Sequence, residues 1–284
     1  GVMYNNVTID RDDMSLCMQS FKNFKTSEPP IRIAYELPDD HPRLGDFWNI
    51  VGPIVTANHL IELNNYENFK SYFKNKIIFF LIKMLYKKAD AVVGISKTLA
   101  RDLSKFISKK VYVIYNSALD DYVSKKTQQK VRLPKRILDK KIILNVGFFE
   151  NQKDQITILK AIKLLSYEFN NFHMIFVGRG SKYNKLKKYI KINKLKNFVS
   201  FFTNINNPTY FYQISNLFIL SSKYEGFGNV LVEALKNNCP VITSNCKSGP
   251  MEIIANGKFG DYFNVGDYYN LKKIIKRHFN NEKR

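Results

Sequence analysis

From Lys141 onward the chain alternates short apolar runs with amphipathic ones. Ile142 to Val146 reads as a strand, Asp154 to Phe169 as a helix, Phe172 to Val177 as a strand, and the stretch through Leu186 to Ile192 as a helix. Phe198 to Phe202, Leu217 to Leu220 and Val241 to Thr243 are further apolar runs, each followed by a loop and a helical stretch. Strand-length runs that alternate with helical ones predict a parallel sheet wound by helices. The front of the chain repeats the theme less completely, with strands expected at Ile31 to Glu36, Pro53 to Asn58, Ala91 to Ile95 and Val111 to Tyr115. A second, smaller α/β lobe is the expected reading. Residues 124–140, rich in Lys and Gln with one Pro, have the composition of a solvated connector. The expected organisation is therefore an N-terminal lobe over 1–123, a linker over 124–140 and a C-terminal lobe over 141–284.

Two lobes of ordinary size fit 284 residues. Hydrophobic residues make up 45% and aromatics 14%, enough to close two cores and too many for disordered low complexity. The net charge of +21 draws the molecule to phosphate-rich partners: nucleic acid, anionic lipid or nucleotide. Codon bias toward Lys, Asn, Ile, Phe and Tyr gives a similar excess, so motifs must choose among them. No helix-turn-helix, zinc-finger or aromatic RNA-binding pattern accompanies the charge, and nucleic acid is not expected as a partner.

Cys17, Cys239 and Cys246 are odd in number and lack metal-ligand spacing, which argues against a disulfide framework and a zinc site. A reducing, cytoplasmic compartment is expected. No apolar run reaches the roughly eighteen residues of a membrane span, and no signal peptide pattern opens the sequence. The chain begins with Gly1 rather than Met, so a missing upstream segment is one expectation. Over residues 66–88, Phe69, Phe73, Ile77, Phe80 and Met84 recur at helical spacing among Lys70, Lys74, Lys76, Lys83, Lys87 and Lys88. Such a basic amphipathic helix either turns its stripe into a core or rests on an anionic membrane surface.

In open α/β sheets ligands gather beyond the carboxyl ends of the strands, which directs attention to the loops after the C-lobe strands. One loop runs from Ser221 through Gly226, Phe227, Gly228 and Asn229 into a helix that carries Glu233. Its two glycines let backbone approach a ligand closely, and amides at the helix start favour a phosphate. Helical side chains lean toward the N-terminus, so Glu233 is expected to reach the same pocket that Glu225 enters from the loop. An arbitrary pair of glutamates would be read as a solvated loop acid and a helix-surface acid; it is the surrounding loops that argue for more. A second loop, Asn245 to Ile254, places Pro250 and Glu252 at a helix start.

Together these residues resemble a known family. Glu225-Gly226-Phe227-Gly228, Glu233 eight positions on, Pro240-Val241-Ile242 and Ser248-Gly249-Pro250-Met251-Glu252 look like the C-lobe signature of family 4 retaining glycosyltransferases. The likeness extends through Asn145-Val146-Gly147, Gln152-Lys153-Asp154, Gly178-Arg179-Gly180, Ala89 to Lys97 and Val113 to Asn116, and covers roughly residues 50 to 270. It implies the GT-B fold, with two Rossmann-like lobes facing a cleft and here a shortened N-lobe. It also implies metal-independent, retaining transfer of a hexosyl or N-acetylhexosaminyl group from a nucleotide sugar to a saccharide or lipid-linked acceptor. The setting implied is lipopolysaccharide or capsule synthesis at the inner face of the membrane, with the nucleotide-sugar donor as substrate and no cofactor.

Residue by residue, the resemblance assigns the donor diphosphate to Lys153 and to the amides of Gly226, Phe227, Gly228 and Asn229, beside Gly147. It gives Glu233 to the ribose hydroxyls, Glu225 to the transferred sugar, and a histidine facing that sugar to His59, with His41 as its rival; His173 and His278 read as structural. Two departures stand out. The family's arginine after the glycine is Phe148 here, and residues 1–50 do not match the family's N-terminal strands. A sugar-nucleotide-binding protein without turnover is the alternative that these departures support.

Overall fold

The computed structural model describes residues 3–4, 7–8, 80–89, 92–115, 133–246 and 248–280. The strands expected at Ile31 to Glu36 and Pro53 to Asn58, the candidates His41 and His59, and the first part of the basic helix lie outside the described residues. The chain divides into two compact units, Gly1–Asp120 and Asp121–Arg284.

In the first unit, β1 (Met3–Tyr4) pairs antiparallel with β2 (Val7–Thr8). Residues 80–88 are helical and form α1. Then β3 (Val93–Gly94), α2 (Lys97–Ile107) and β4 (Tyr112–Val113) make a right-sized β-α-β unit with parallel strands. The α2 helix starts where Ser96 Oγ accepts from the Leu99 amide at 3.2 Å, satisfying one of the orphan donors of the first turn. Leu99, Leu103 and Ile107, four apart, turn one stripe onto Tyr86 of α1 and Val92.

The second unit is a six-stranded, all-parallel sheet. Its elements in chain order are α3 (Lys135–Leu138), β5 (Lys141–Val146), α4 (Gln155–Leu165), β6 (Phe172–Val177), α5 (Tyr183–Ile192) and β7 (Val199–Phe202). They continue with α6 (Thr209–Ile214), β8 (Leu217–Leu220), α7 (Asn229–Lys236), β9 (Val241–Ser244), α8 (Gly249–Ile253), β10 (Asp261–Phe263) and α9 (Tyr268–Phe279).

Helices cover both faces, so the central strands are mostly apolar and not alternately polar, with Asn145 of β5 and His173 of β6 as buried polar exceptions. The period of two instead sorts side chains between two cores. Ile143, Met174 and Leu217 stand side by side across β5, β6 and β8 and face α4, α5 and α9. Their neighbours Leu144, Ile175 and Phe218 face α3, α6 and α7 on the other side. The connector 124–140 does not stay solvated to its end, because Leu133 and Ile137 pack into this second core.

One element has a weak sequence signal. The β10 strand is three residues long, only Phe263 is buried, and it sits at the sheet edge. It is tied to α9 by Asp261, which meets Arg277 at 2.6 Å and His278 at 2.7 Å. The strand order is β7-β6-β5-β8-β9-β10. Chain progression runs outward one way from β5 to β7, then resumes on the other side of β5 with β8. The connections leaving β5 and β8 therefore run to opposite faces of the sheet, to α4 and α7, and an open sheet of this kind binds ligands beyond the carboxyl ends of its strands at such a reversal.

Candidate active site at the strand-order reversal

The loops after β5 and β8 carry the residues singled out from sequence, and the structure stitches them together. Lys223 N donates to Gln152 O at 2.8 Å, and Gln152 Nε2 donates to Tyr224 O at 2.9 Å. Ser221 Oγ donates to Lys153 O at 2.7 Å. These bonds hold Lys153 and Glu225 face to face: Lys153 Nζ lies 2.5 Å from Glu225 Oε1, with the two side chains 17% and 8% exposed. Ser222 Oγ donates to the same carboxylate oxygen at 2.6 Å, and Ser244 Oγ of β9 donates to Ser222 O at 2.5 Å. The carboxylate is thus fixed by a cation and a hydroxyl before any ligand arrives. Gln152 and Ser221 lie in segments singled out from sequence without a role of their own, and Ser244 had no sequence signal beyond being a small polar residue at the end of β9.

Beside this pair a cleft of about 310 Å³ opens at the carboxyl ends of β5 and β6 and the loop after β7. Val146, Gly147, Phe148, Gly178 and Arg179 line one side, and residues 204–206 and 208 the other. A side chain on Gly147, whose φ is 153°, would begin 3.8 Å from the Lys153 chain, which places the lysine against the cleft wall. Gly178 serves packing: a Cβ there would come within 2.0 Å of Gly147 O. Gly178-Arg179-Gly180 thus brings two loops into backbone contact as well as lining the cleft. Phe148 is 59% exposed, and its carbonyl accepts from Gln155 Nε2 at 2.9 Å.

Gly226, Phe227 and Gly228 are buried at the start of α7, where Gly228 takes the left-handed φ of 103° that a side chain would disfavour. Gly249, opening α8, must also be small, since its Cβ would fall 2.3 Å from Phe227 Cα. The two helix starts singled out from sequence therefore pack on one another.

Glu233 is half-buried in the second turn of α7 and does not join the pair of Lys153 and Glu225. Tyr212 of α6, fully buried, donates its hydroxyl to Glu233 Oε2 at 2.9 Å. Burial raises the Glu233 pKa above the ordinary carboxylate value, while the Tyr212 hydrogen bond pulls it back down. Burial, then the Glu233 charge, pushes the Tyr212 hydroxyl well above its usual range.

His173, Cys239 and Cys246 are buried in the second unit. His173 is buried on β6 against Ser200 Oγ at 2.8 Å, and burial, helped by Lys140, lowers its pKa to about 4. Burial lifts the Cys239 thiol to about 12 and, with the Glu225 charge, the Cys246 thiol to about 11, so both stay protonated at neutral pH. Among the described residues no cluster of three or more His, Cys, Asp or Glu is placed to hold a metal ion.

A six-stranded parallel sheet with this order, a cation and carboxylate fixed at its reversal, and a glycine loop opening the next helix define an open, doubly wound α/β unit. Comparison with known sequences gives the family: the pattern described as "Glycosyl transferases group 1" matches residues 126–284, more than half of the chain, and the chain belongs to that family.

An uncharacterized glycosyltransferase of Methanocaldococcus jannaschii is 27% identical over 249 residues, covering 80% of this chain and 61% of its own length. The N-acetylgalactosamine-N,N'-diacetylbacillosaminyl-diphospho-undecaprenol 4-alpha-N-acetylgalactosaminyltransferase of Campylobacter jejuni is 28% identical, covering 75% of this chain and 57% of its own. This chain thus spans about 60% of the length of these relatives. Among solved structures, TarM of Staphylococcus aureus, in complex with UDP, α-GlcNAc-glycerol and fondaparinux, superposes with a TM-score of 0.61 at 20% identity, covering 74% of this chain and 40% of TarM. The fold is α/β, of the GT-B type that such neighbours share.

Proposed function

We propose that this protein transfers a hexosyl or N-acetylhexosaminyl group from a nucleoside diphosphate sugar to a saccharide or lipid-linked acceptor in cell-surface polysaccharide synthesis, with retention and without a metal. The observation that carries the reading is the buried pair of Lys153 and Glu225 at the reversal of strand order, beside the cleft and the glycine loop. The leaving nucleoside diphosphate gains negative charge as the glycosidic bond breaks. The Lys153 ammonium, together with the amides of Gly226, Phe227, Gly228 and Asn229, is a fixed positive environment that stabilises that charge without reorganising. Glu225 is then available to hydroxyls of the transferred sugar, Glu233 to the ribose, and Gly147 lets the diphosphate approach the β5 loop. By the resemblance alone, His59 is proposed as a further group that faces the donor sugar. Relatives named for capsule synthesis and undecaprenol-linked sugars support the substrate class.

The test is incubation with a panel of UDP-, GDP- and ADP-sugars and short polyprenyl-linked or saccharide acceptors, with chelator present, followed by NMR of the product's anomeric centre. Retained configuration and chelator-resistant turnover support the proposal. Phe148 in the cleft wall, where the resemblance expects a phosphate-binding arginine, favours one other reading: donor binding without turnover. That outcome in the same panel would replace the first.

We extend the proposal to an anionic membrane surface reached through the segment 66–88, at the inner face of the membrane. Its described part exposes Phe80, Leu81, Met84 and Leu85 beside Lys83, Lys87 and Lys88, apolar anchors ringed by cations. Among the described residues no helix is long and apolar enough to cross a membrane. Sedimentation with phosphatidylglycerol vesicles but not with phosphatidylcholine vesicles is the expected result, and equal partitioning with neither would remove this part.

A further inference from the structure

The hydrogen bond between Tyr212 and Glu233 links two elements for which the proposed donor site gives no reason to touch. Tyr212 lies on α6, and α6 follows directly on residues 204–208, which supply the far wall of the cleft. The start of α6 is anchored to that wall: Phe211 N donates to Pro208 O at 2.9 Å. Glu233 lies on α7, which leaves the glycine loop after β8. One phenolic hydroxyl therefore bridges the wall of the cleft and the helix that carries the second carboxylate.

The bond is not incidental to packing. Tyr212 is 1% exposed, and its ring is held 5.6 Å, centroid to centroid, from Phe218 of β8. A phenylalanine would make the same ring contact. The hydroxyl adds only a buried polar group, and such a group is a net cost unless it is hydrogen-bonded; Glu233 Oε2 is the acceptor. Geometry also favours the carboxylate as the group being served. A Glu side chain has three rotatable bonds, and a half-buried one samples several rotamers unless a partner selects one. With Oε2 held by a tyrosine that the core cannot move, Oε1 has a fixed direction. A vicinal diol needs an acceptor fixed in this way, because its two hydroxyls sit at a set spacing and lose affinity if the acceptor must be reordered on binding.

We propose that Tyr212 is a positioning residue for the ribose of the donor: it holds the Glu233 carboxylate in the orientation that accepts from the 2′- and 3′-hydroxyls, and ties it to the wall of the cleft. This rests on the assignment of Glu233 to the ribose made above. Tyr212 itself touches no reacting atom; it acts through Glu233.

The test is calorimetric titration of whichever of UDP, GDP or ADP binds the wild-type protein most tightly, alongside its 2′,3′-dideoxy counterpart. Wild type, Tyr212→Phe, Glu233→Ala and the double variant are compared. Tyr212→Phe is expected to weaken the ribonucleotide about tenfold and the dideoxynucleotide by less than twofold. In the Glu233→Ala background the same change is expected to have no further effect on either ligand. Two results overturn the inference: equal ribonucleotide affinity for wild type and Tyr212→Phe, or a loss of the same size for both ligands, which marks a merely structural tyrosine. If Tyr212→Phe fails to fold, Tyr212→His replaces it in the same cycle, and additive losses with Glu233→Ala count against the proposal. Failure of wild type to bind any of the three nucleotides would overturn the donor reading itself and this inference with it.

Discussion

Lys153 and Glu225, seventy-two positions apart in the chain, meet at 2.5 Å because the two strands that precede them, β5 and β8, are neighbours at the point where strand order reverses. Neither residue is more than one-fifth exposed. The pair is therefore both a piece of the fold and the centre of the proposed chemistry, and variants can separate these roles.

Glu225→Ala leaves the Lys153 ammonium in a pocket without its counter-charge, which is expected to destabilise the protein by about 3 kcal/mol in urea unfolding. Converting both partners in Lys153→Met with Glu225→Leu is expected to recover much of that loss, since removing a buried pair whole is far less costly than breaking it. Donor turnover is expected to be lost in both variants. A double variant no more stable than Glu225→Ala would show that the pair is not the unit described here.

At Phe148 the expected change is a gain. The side chain is 59% exposed at the wall of the cleft, so an arginine there meets no steric barrier. Phe148→Arg should tighten binding of a nucleoside diphosphate by roughly 1.5 to 3 kcal/mol, leave the bare nucleoside unchanged, and lose part of the gain with added salt. Calorimetry that finds no difference for the diphosphate would mean either that another cation already fills this place or that the donor lies elsewhere, and the placement of Gly147 to Lys153 around the diphosphate would be withdrawn.

Much of this was legible in the sequence. The apolar runs from Ile142 to Thr243 located five strands of the second sheet to within one residue at either end, because parallel strands covered on both faces are continuously apolar. The β10 strand was not legible, since one buried residue in three gives no pattern. Motif order brought out Lys153, Glu225 and the glycine loop. It did not bring out Tyr212, whose role depends on α6 passing beside α7, a contact between segments with no shared periodicity. Sequence also gave Glu225 and Glu233 one pocket, whereas each has its own partner in the structure.

Protonation of His173 supplies a prediction about stability. Its folded pKa of about 4 lies below the unfolded value of 6.5, so its contribution is full above pH 6.5 and is lost as pH falls toward 4. The shift corresponds to roughly 3 kcal/mol at most. His173→Gln should flatten the decline in unfolding free energy between those two pH values. An unchanged slope in the variant would place the acid sensitivity elsewhere.

Binding should also weaken on acidification, through Glu233. Burial raises its pKa, so the carboxylate takes up its proton at a higher pH than an ordinary glutamate. A protonated Glu233 accepts from ribose hydroxyls less well. Nucleotide affinity is therefore expected to fall on acidification before exposed carboxylates titrate, and Glu233→Gln should abolish that limb. A limb that persists in the variant would assign it to another group.

In the proposed reading the donor diphosphate sits at the reversal of strand order, where Gly147 lines the cleft next to Lys153, and Lys153 is the residue on which its binding depends most. The direct measurement is calorimetric titration of a nucleoside diphosphate and of the corresponding nucleoside into wild type and Lys153→Met, each shown to be folded. Diphosphate binding is expected to be at least tenfold weaker in the variant, with nucleoside affinity unchanged. Equal diphosphate affinity in the two proteins would contradict it and move the donor site away from the strand-order reversal.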